Sequence, residues 1–126
     1  MKNNPKTRQS NLVVQESGSE ILIYDLNINK AFCLNETSAL VWQLCDGNYS
    51  ISEIGSSMSD KLKMPISDEL VWLALHGLHR DNLLEKDAKF EAQFAGFSRR
   101  EAIKKVGLAS MAVLPLISSV IAPSAV

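Results

Sequence analysis

Residues 31–47 read A-F-C-L-N-E-T-S-A-L-V-W-Q-L-C-D-G, a short apolar strand that passes through an Asn-Glu-Thr turn into an amphipathic helix. No other stretch constrains the fold as much. Leu34 closes the strand-like run, and Asn35 or Thr37 can accept a hydrogen bond from the orphan N–H groups of the helix that follows. Ala39, Leu40, Leu44 and Cys45 recur at helical spacing, and Gly47 stops the helix.

Upstream, Leu12 to Glu16 and Glu20 to Asp25 read as strands around the Ser17-Gly18-Ser19 turn. Asn27 to Lys30 makes a second turn, where Asn tolerates positive φ, and Ala31 to Leu34 returns as a third strand. The expected sheet is a three-stranded antiparallel meander. Three helices are expected after it, the first from Thr37 to Asp46 and the second from Ser52 to Leu62, with Ile54, Met58 and Leu62 at i, i+4 and i+8. The third begins after Pro65, with Ser67 as N-cap, Asp68 and Glu69 at the positive end of the helix dipole, and Asn82 as the stop. On a helical wheel Val71, Ala74, Leu75 and Leu78 face the core. Glu69, His76 and Arg80 lie opposite, and Trp72 and His79 fall on the flank, as the edge of a groove would.

Charge narrows the partners. The net charge is −1, but residues 1–10 and residues 98–126 each carry +3, which leaves −7 for residues 11–97. An acidic body is poor material for a phosphate backbone, so nucleic acid is not expected as a partner. A third helix offering Glu69 and Arg80, with Asp68 and Asp81 at its ends, is no DNA reader either. The polar, basic start K-N-N-P-K-T-R-Q-S-N is no secretory signal, which points to the cytoplasm.

Catalytic signals are missing from the sequence. His76 and His79 stand at i, i+3, a spacing that could serve a metal, yet no carboxylate or cysteine lies at a matching distance, so neither metal nor cofactor is expected. No nucleophile–base–orienter set and no phosphate-binding glycine loop occurs. Cys33 and Cys45 form no C-x-x-C pair and read as reduced, largely buried thiols. Trp42 and Trp72 read as packing residues rather than ligand stackers.

Taken with L-I-Y-D at residues 22–25, S-E-I at 52–54 and L-V-W-L-A-L-H-G-L-H-R-D-N-L-L-E at 70–85, the run L-N-E-T-S-A-L-V-W-Q-L-C-D-G at 34–47 resembles the PqqD-like family of peptide chaperones, or precursor-peptide recognition elements. The resemblance covers residues 11–86. It implies an α+β, winged-helix-like domain of three strands and three helices without catalytic residues. It also implies that the leader of a ribosomally made precursor peptide adds as a strand beside the third strand, in a cleft against the third helix. Carried onto this chain, the peptide-binding residues are Lys30, Ala31, Phe32, Cys33 and Leu34 on the strand, with Trp72, Leu75 and His79 on the helix. The implied partners are the precursor and a modifying enzyme, of radical-SAM type by family resemblance. Three loops depart from the family pattern. Glu36 replaces a proline, the turn at residues 27–30 lacks a glycine, and Asp81-Asn82 replaces a small-residue pair. These bear on leader choice rather than on fold.

The expected organisation is a flexible basic N-terminus over 1–10, the peptide-binding domain over 11–87, a linker over 88–97 and a basic, then apolar, tail over 98–126. Ser98 to Lys104, S-R-R-E-A-I-K, resembles a twin-arginine export motif, and Val106 to Val126 carries no charge, long enough to span a bilayer as a helix. Three readings of the tail follow. Ranked first is a C-terminal anchor that tethers the domain to the inner face of the membrane, with Arg99, Arg100, Lys104 and Lys105 on the cytoplasmic side. The second is a signal-like or leader-like segment fused to its own recognition domain, where it would occupy the cleft or engage an export receptor. The third is an apolar helix that folds back on the domain or pairs two copies as a homodimer. The functional expectation is a non-catalytic adaptor that presents a leader to its enzyme; the runner-up is a membrane-held scaffold without leader binding.

Overall fold

The computed structural model describes residues 4–121. Three strands come first: β1 (Leu12–Ser17), β2 (Glu20–Asp25) and β3 (Lys30–Leu34), antiparallel neighbours in chain order. Gly18 at φ 64° and Asn29 at φ 50° supply the left-handed residues the two turns need. Three helices follow: α1 (Glu36–Leu44), α2 (Ile51–Leu62) and α3 (Asp68–Arg80).

Local chemistry sets their ends. Asn35 caps α1 by accepting from the Ser38 N–H at 3.0 Å. Ser50 and Glu53 form a reciprocal capping box at the start of α2. Ser67 stands at the N-cap of α3 as expected, yet its hydroxyl makes no cap bond and is buried without a partner among the described residues. Asn82, at φ 58°, turns the chain after α3. The inner sheet face of Ile21, Ile23, Phe32 and Leu34 packs on Val41, Ile54, Met58, Val71, Ala74, Leu75 and Leu78, so the core face expected of the third helix is the one observed.

Three expectations about the flanks are corrected. Where a flexible segment was expected, residues 4–8 pack and hydrogen-bond against the domain. The Thr7 N–H donates to the Cys45 carbonyl at 2.9 Å, the Arg8 N–H donates to the Leu83 carbonyl at 2.9 Å, and the Arg8 guanidinium grips the buried Asp25 carboxylate through two bonds of 2.9 and 3.1 Å. The expected linker contains a helix, α4 (Ala88–Ala95), capped by Asp87; Phe90 and Phe94, one turn apart, bury its inner face.

The tail departs most. Its basic part forms α5 (Arg99–Val106), whose Ala102 and Val106 pack on Leu70 and Leu73, a second buried face of α3. Here S-R-R-E is a helix start, with the Ser98 hydroxyl accepting from the Glu101 N–H at 3.2 Å. A 3-10 turn (Leu108–Val113) follows, and then β4 (Ile117–Ile121), which pairs antiparallel with β3. The sheet therefore has four strands rather than three, and the helices number five among the described residues. The expected long apolar helix does not form over residues 107–121, which hold only a short 3-10 segment and β4. Gly107 at φ 87° ends α5, Pro115 lacks an N–H, and the β-branched Ile117, Val120 and Ile121 favour a strand. No helix of the described residues is long and apolar enough to cross a membrane, and the last five residues of the expected span lie outside the described residues.

Candidate functional site

The β3 edge opposite β2 carries a row of backbone donors and acceptors, and the segment that takes them up is the chain's own β4. The register runs from Lys30 opposite Ile121 to Leu34 opposite Ile117. One step further along, Asn35 and Leu116 are bonded as a pair: the Asn35 N–H donates to the Leu116 carbonyl at 3.1 Å. Alternation in an antiparallel ladder then makes Cys33–Ser118 and Ala31–Val120 hydrogen-bonded pairs as well. The N–H groups of Phe32 and Leu34 belong by the same alternation to the β2 ladder.

Asn35 holds more of the incoming segment than a ladder residue can. Its backbone carbonyl is engaged by the Ala39 N–H at 2.7 Å, inside the first turn of α1. Its side chain substitutes: Oδ1 accepts from the Leu116 N–H at 3.0 Å, and Nδ2 donates to the Leu114 carbonyl at 2.9 Å. The helix cap and the clamp are thus one amide.

Against α3, the segment meets Gly77. A Cβ built there would stand 3.2 Å from Ile117 Cδ1, so the absence of a side chain at Gly77 is what admits the isoleucine. Ser38, Leu73, Ala74, Gly77, Pro115 and Ile117 line a residual cavity of only about 60 Å³. The Ser38 hydroxyl is fully buried and has no partner among the described residues.

The expected site residues divide into two groups. Lys30, Ala31 and Cys33 of β3 are partly exposed along the ladder, whereas Phe32 and Leu34 point into the core, with the Lys30 ammonium 5.6 Å from the centre of the Phe32 ring. On α3, Leu75 is wholly buried in the same core. Trp72 and His79 are not gathered beside β3. Trp72 packs on Phe90 and Phe94, with ring centres 5.9 and 5.7 Å apart, and His79 stacks on Phe94 at 4.4 Å while its Nε2 lies 2.8 Å from Glu91. These two hold α4. His76 packs on Phe97 at 4.8 Å; burial, followed by the nearby His79, Arg80 and Arg99, pushes its pKa below the usual imidazole value. Of the basic tail residues, Arg99 is half-buried beside the small cavity, while Arg100, Lys104 and Lys105 are exposed on α5.

Asn35, Gly77 and Ser38 were not singled out as site residues from sequence. Gly77, inside a strong helix with no turn to explain it, was the available signal.

Both cysteines are free thiols. Burial, with the charge of Glu20, raises the Cys33 pKa, and burial with Asp46 pushes Cys45 up to about 12. Neither is a thiolate near neutral pH, which leaves no activated sulfur nucleophile at this edge.

The class this geometry defines is a small α+β domain whose sheet edge receives an extra strand beside a helix. The family model described as Coenzyme PQQ synthesis protein D (PqqD) matches residues 15–79, and the chain belongs to that family. The matched stretch ends within α3, so α4, α5 and β4 lie beyond it. Among solved structures, the chain is similar in fold to TbiB1 in complex with the TbiA(beta) leader peptide, at a TM-score of 0.53 and 20% identity, covering 66% of this chain and 98% of that one. No curated protein matches it.

Proposed function

We propose that the chain is a non-catalytic, cytoplasmic adaptor that captures the leader of a ribosomally made precursor peptide by strand addition along β3 and presents it to a modifying enzyme. Family membership supports the reading, as does a structural neighbour solved with a leader peptide. The observation that carries it is that the β3 edge accepts a strand over five residues in continuous register, with a side chain of that strand seated against α3. In this reading the ladder groups of Ala31 and Cys33 give affinity, Asn35 fixes register, and Ala74 and Gly77 form the side-chain pocket. Trp72 and His79 serve by holding α4.

The test is titration calorimetry with synthetic leaders of the precursor peptides encoded beside the gene. Saturable binding of one leader, lost in Cys33→Pro, is the expected result. Proline at Cys33 removes an N–H that faces the incoming strand and spares the β2 ladder, whereas Phe32→Pro would break the sheet itself. Unchanged affinity in Cys33→Pro overturns strand addition at this edge.

A further inference from the structure

We propose that β4 is a built-in placeholder: residues 114–121 close the leader edge in cis, and a leader binds by displacing them with a strand that meets the same two determinants, Asn35 and Gly77. The proposal rests on the leader reading above and adds to it a regulation and a ligand chemistry.

Occupancy itself is plain in the ladder from Lys30–Ile121 to Leu34–Ile117 and in the Asn35 clamp on Leu114 and Leu116. The composition of the occupant makes it displaceable. Leu114 packs on the Leu70–Leu73 face of α3, Pro115 is buried beside Ala74 and Gly77, and Ile117 lies over Gly77. Within β4 itself no other described side chain is buried: Val120 is 64% exposed, Ser118 and Ser119 are exposed, and Leu116 just before the strand is 57% exposed. Ser119 stands opposite buried Phe32, on the face where an apolar residue would be held best. The buried Ser38 hydroxyl is also left without a partner beside the segment. Beyond Ile117, β4 is therefore held mainly by main-chain bonds and by its tether to α5. A tether of this length gives the tail an effective concentration of millimolar order, enough to hold a weak strand in place.

A competing leader gains where the tail forgoes. It needs a β-branched or other aliphatic residue over Gly77, main-chain N–H and C=O groups one residue before it for Asn35, an aliphatic rather than a serine opposite Phe32, and a hydrogen-bonding group for Ser38. The ligand class is thus an extended peptide with aliphatic residues two apart. Without such a peptide the edge stays shut, which also shields it from pairing with other chains.

The test compares the full chain with full-length Ser118→Pro, which removes the tail's N–H opposite Cys33. Amide hydrogen exchange is read by NMR at four β3 positions. The Ala31 and Cys33 amides should exchange about ten-fold faster or more in Ser118→Pro, while those of Phe32 and Leu34, in the β2 ladder, stay protected and report an intact sheet. Equal exchange at Ala31 and Cys33 in both proteins overturns the placeholder. A labelled peptide of residues 112–122, A-V-L-P-L-I-S-S-V-I-A, is then titrated into both. Saturable binding to Ser118→Pro, at least about ten-fold weaker in the wild type, supports cis closure. Equal affinity for the two proteins, or no binding to either, overturns it. The leader reading is judged separately, by the neighbouring leaders on Ser118→Pro. Their failure, with the exchange contrast intact, removes the leader and leaves the closure standing.

Discussion

The backbone N–H of Asn35 donates to the Leu116 carbonyl at 3.1 Å, and the Leu116 N–H answers to Asn35 Oδ1 at 3.0 Å, so one side chain completes a ladder pair whose main-chain acceptor is committed to helix α1. The same Oδ1 caps that helix through Ser38. Asn35 therefore links the start of α1 to the strand lying on β3. Asn35→Ala should lower stability by about 1–2 kcal/mol, the range for loss of a cap, and free the tail. Asn35→Asp retains the acceptor for Ser38 and Leu116 but sets a carboxylate oxygen against the Leu114 carbonyl in place of the donor, so it should keep the helix cap and cost less than Asn35→Ala while loosening the tail at Leu114. Urea denaturation of both variants ranks them, and equal losses would mean that the acceptor oxygen does not matter.

Gly77 and Ile117 should be coupled. Alanine is favoured over glycine inside a helix by about 1 kcal/mol, yet a Cβ at Gly77 would press on Ile117 Cδ1 at 3.2 Å. Gly77→Ala should stabilise by about that amount in an Ile117→Ala background and by clearly less in the wild type. A double-mutant cycle by chemical denaturation measures the difference. Zero coupling would place Ile117 elsewhere.

The contrast between elements that sequence patterning reveals and those it hides is instructive here. Strands β1 to β3 and helices α1 to α3 each carry their own period, turn residues and caps, so their chemistry is local. Arg8 and Asp25, 17 residues apart, form a buried pair that no window along the chain can show. The i, i+4 pair Phe90 and Phe94 was visible, but its meaning depended on Trp72 and His79 being uncovered without it. In the tail, length and lack of charge suit a membrane helix, and the β-branched residues and Pro115 suit a strand. The free edge of β3 favours the strand, and that edge exists only in the folded domain. Of the elements proposed to hold a peptide, β3 was legible as a strand from the run at residues 30–34, and the packing of Trp72 and His79 on α4 was not. The wheel put Trp72 and His79 at a groove edge, and the groove they line is filled by α4.

The Arg8–Asp25 pair should govern the acid limb of stability. The Arg8 guanidinium holds the Asp25 carboxyl below the usual carboxylate range despite its burial. A carboxylate depressed on folding contributes fully above its unfolded pKa, near 4, and the contribution fades as pH falls through the lower folded value. Arg8→Ala leaves a buried charge and should cost about 3 kcal/mol at pH 7. Because Asp25→Asn removes the titrating group, its urea midpoint should vary less with pH below 4 than that of the wild type. An unchanged acid limb would assign that dependence to other carboxylates.

His76 predicts a second pH dependence, nearer neutrality. Its folded pKa is pushed below the usual imidazole value by burial and by the neighbouring His79, Arg80 and Arg99, so protonation opposes folding. The stability that neutral His76 allows is present above about pH 6.5 and declines as pH falls toward the lower folded value. His76→Phe keeps a ring against Phe97 and removes the titration. Urea midpoints at pH 7.5 and 5.5 should therefore differ less in His76→Phe than in the wild type, and an equal difference would acquit His76.

Helix α4 offers the sharpest division between holding the fold and holding a peptide. Phe94 is buried where Trp72, His79 and Phe90 meet, with ring centres 4.4 to 6.3 Å away. Phe94→Ala empties that junction and should cost about 3 kcal/mol, with a change in tryptophan emission as Trp72 is uncovered. If Trp72 and His79 act only by seating α4, leader affinity measured on folded Phe94→Ala should stay within about two-fold of the wild type, since nothing along β3, Asn35 or Gly77 has changed. Phe94→Leu fills most of the space, and guards against reading a folding defect as a binding defect. A loss of affinity in both variants, with the β3 amides still protected, would instead place part of the leader on the α4 side of α3 and return Trp72 and His79 to the peptide site.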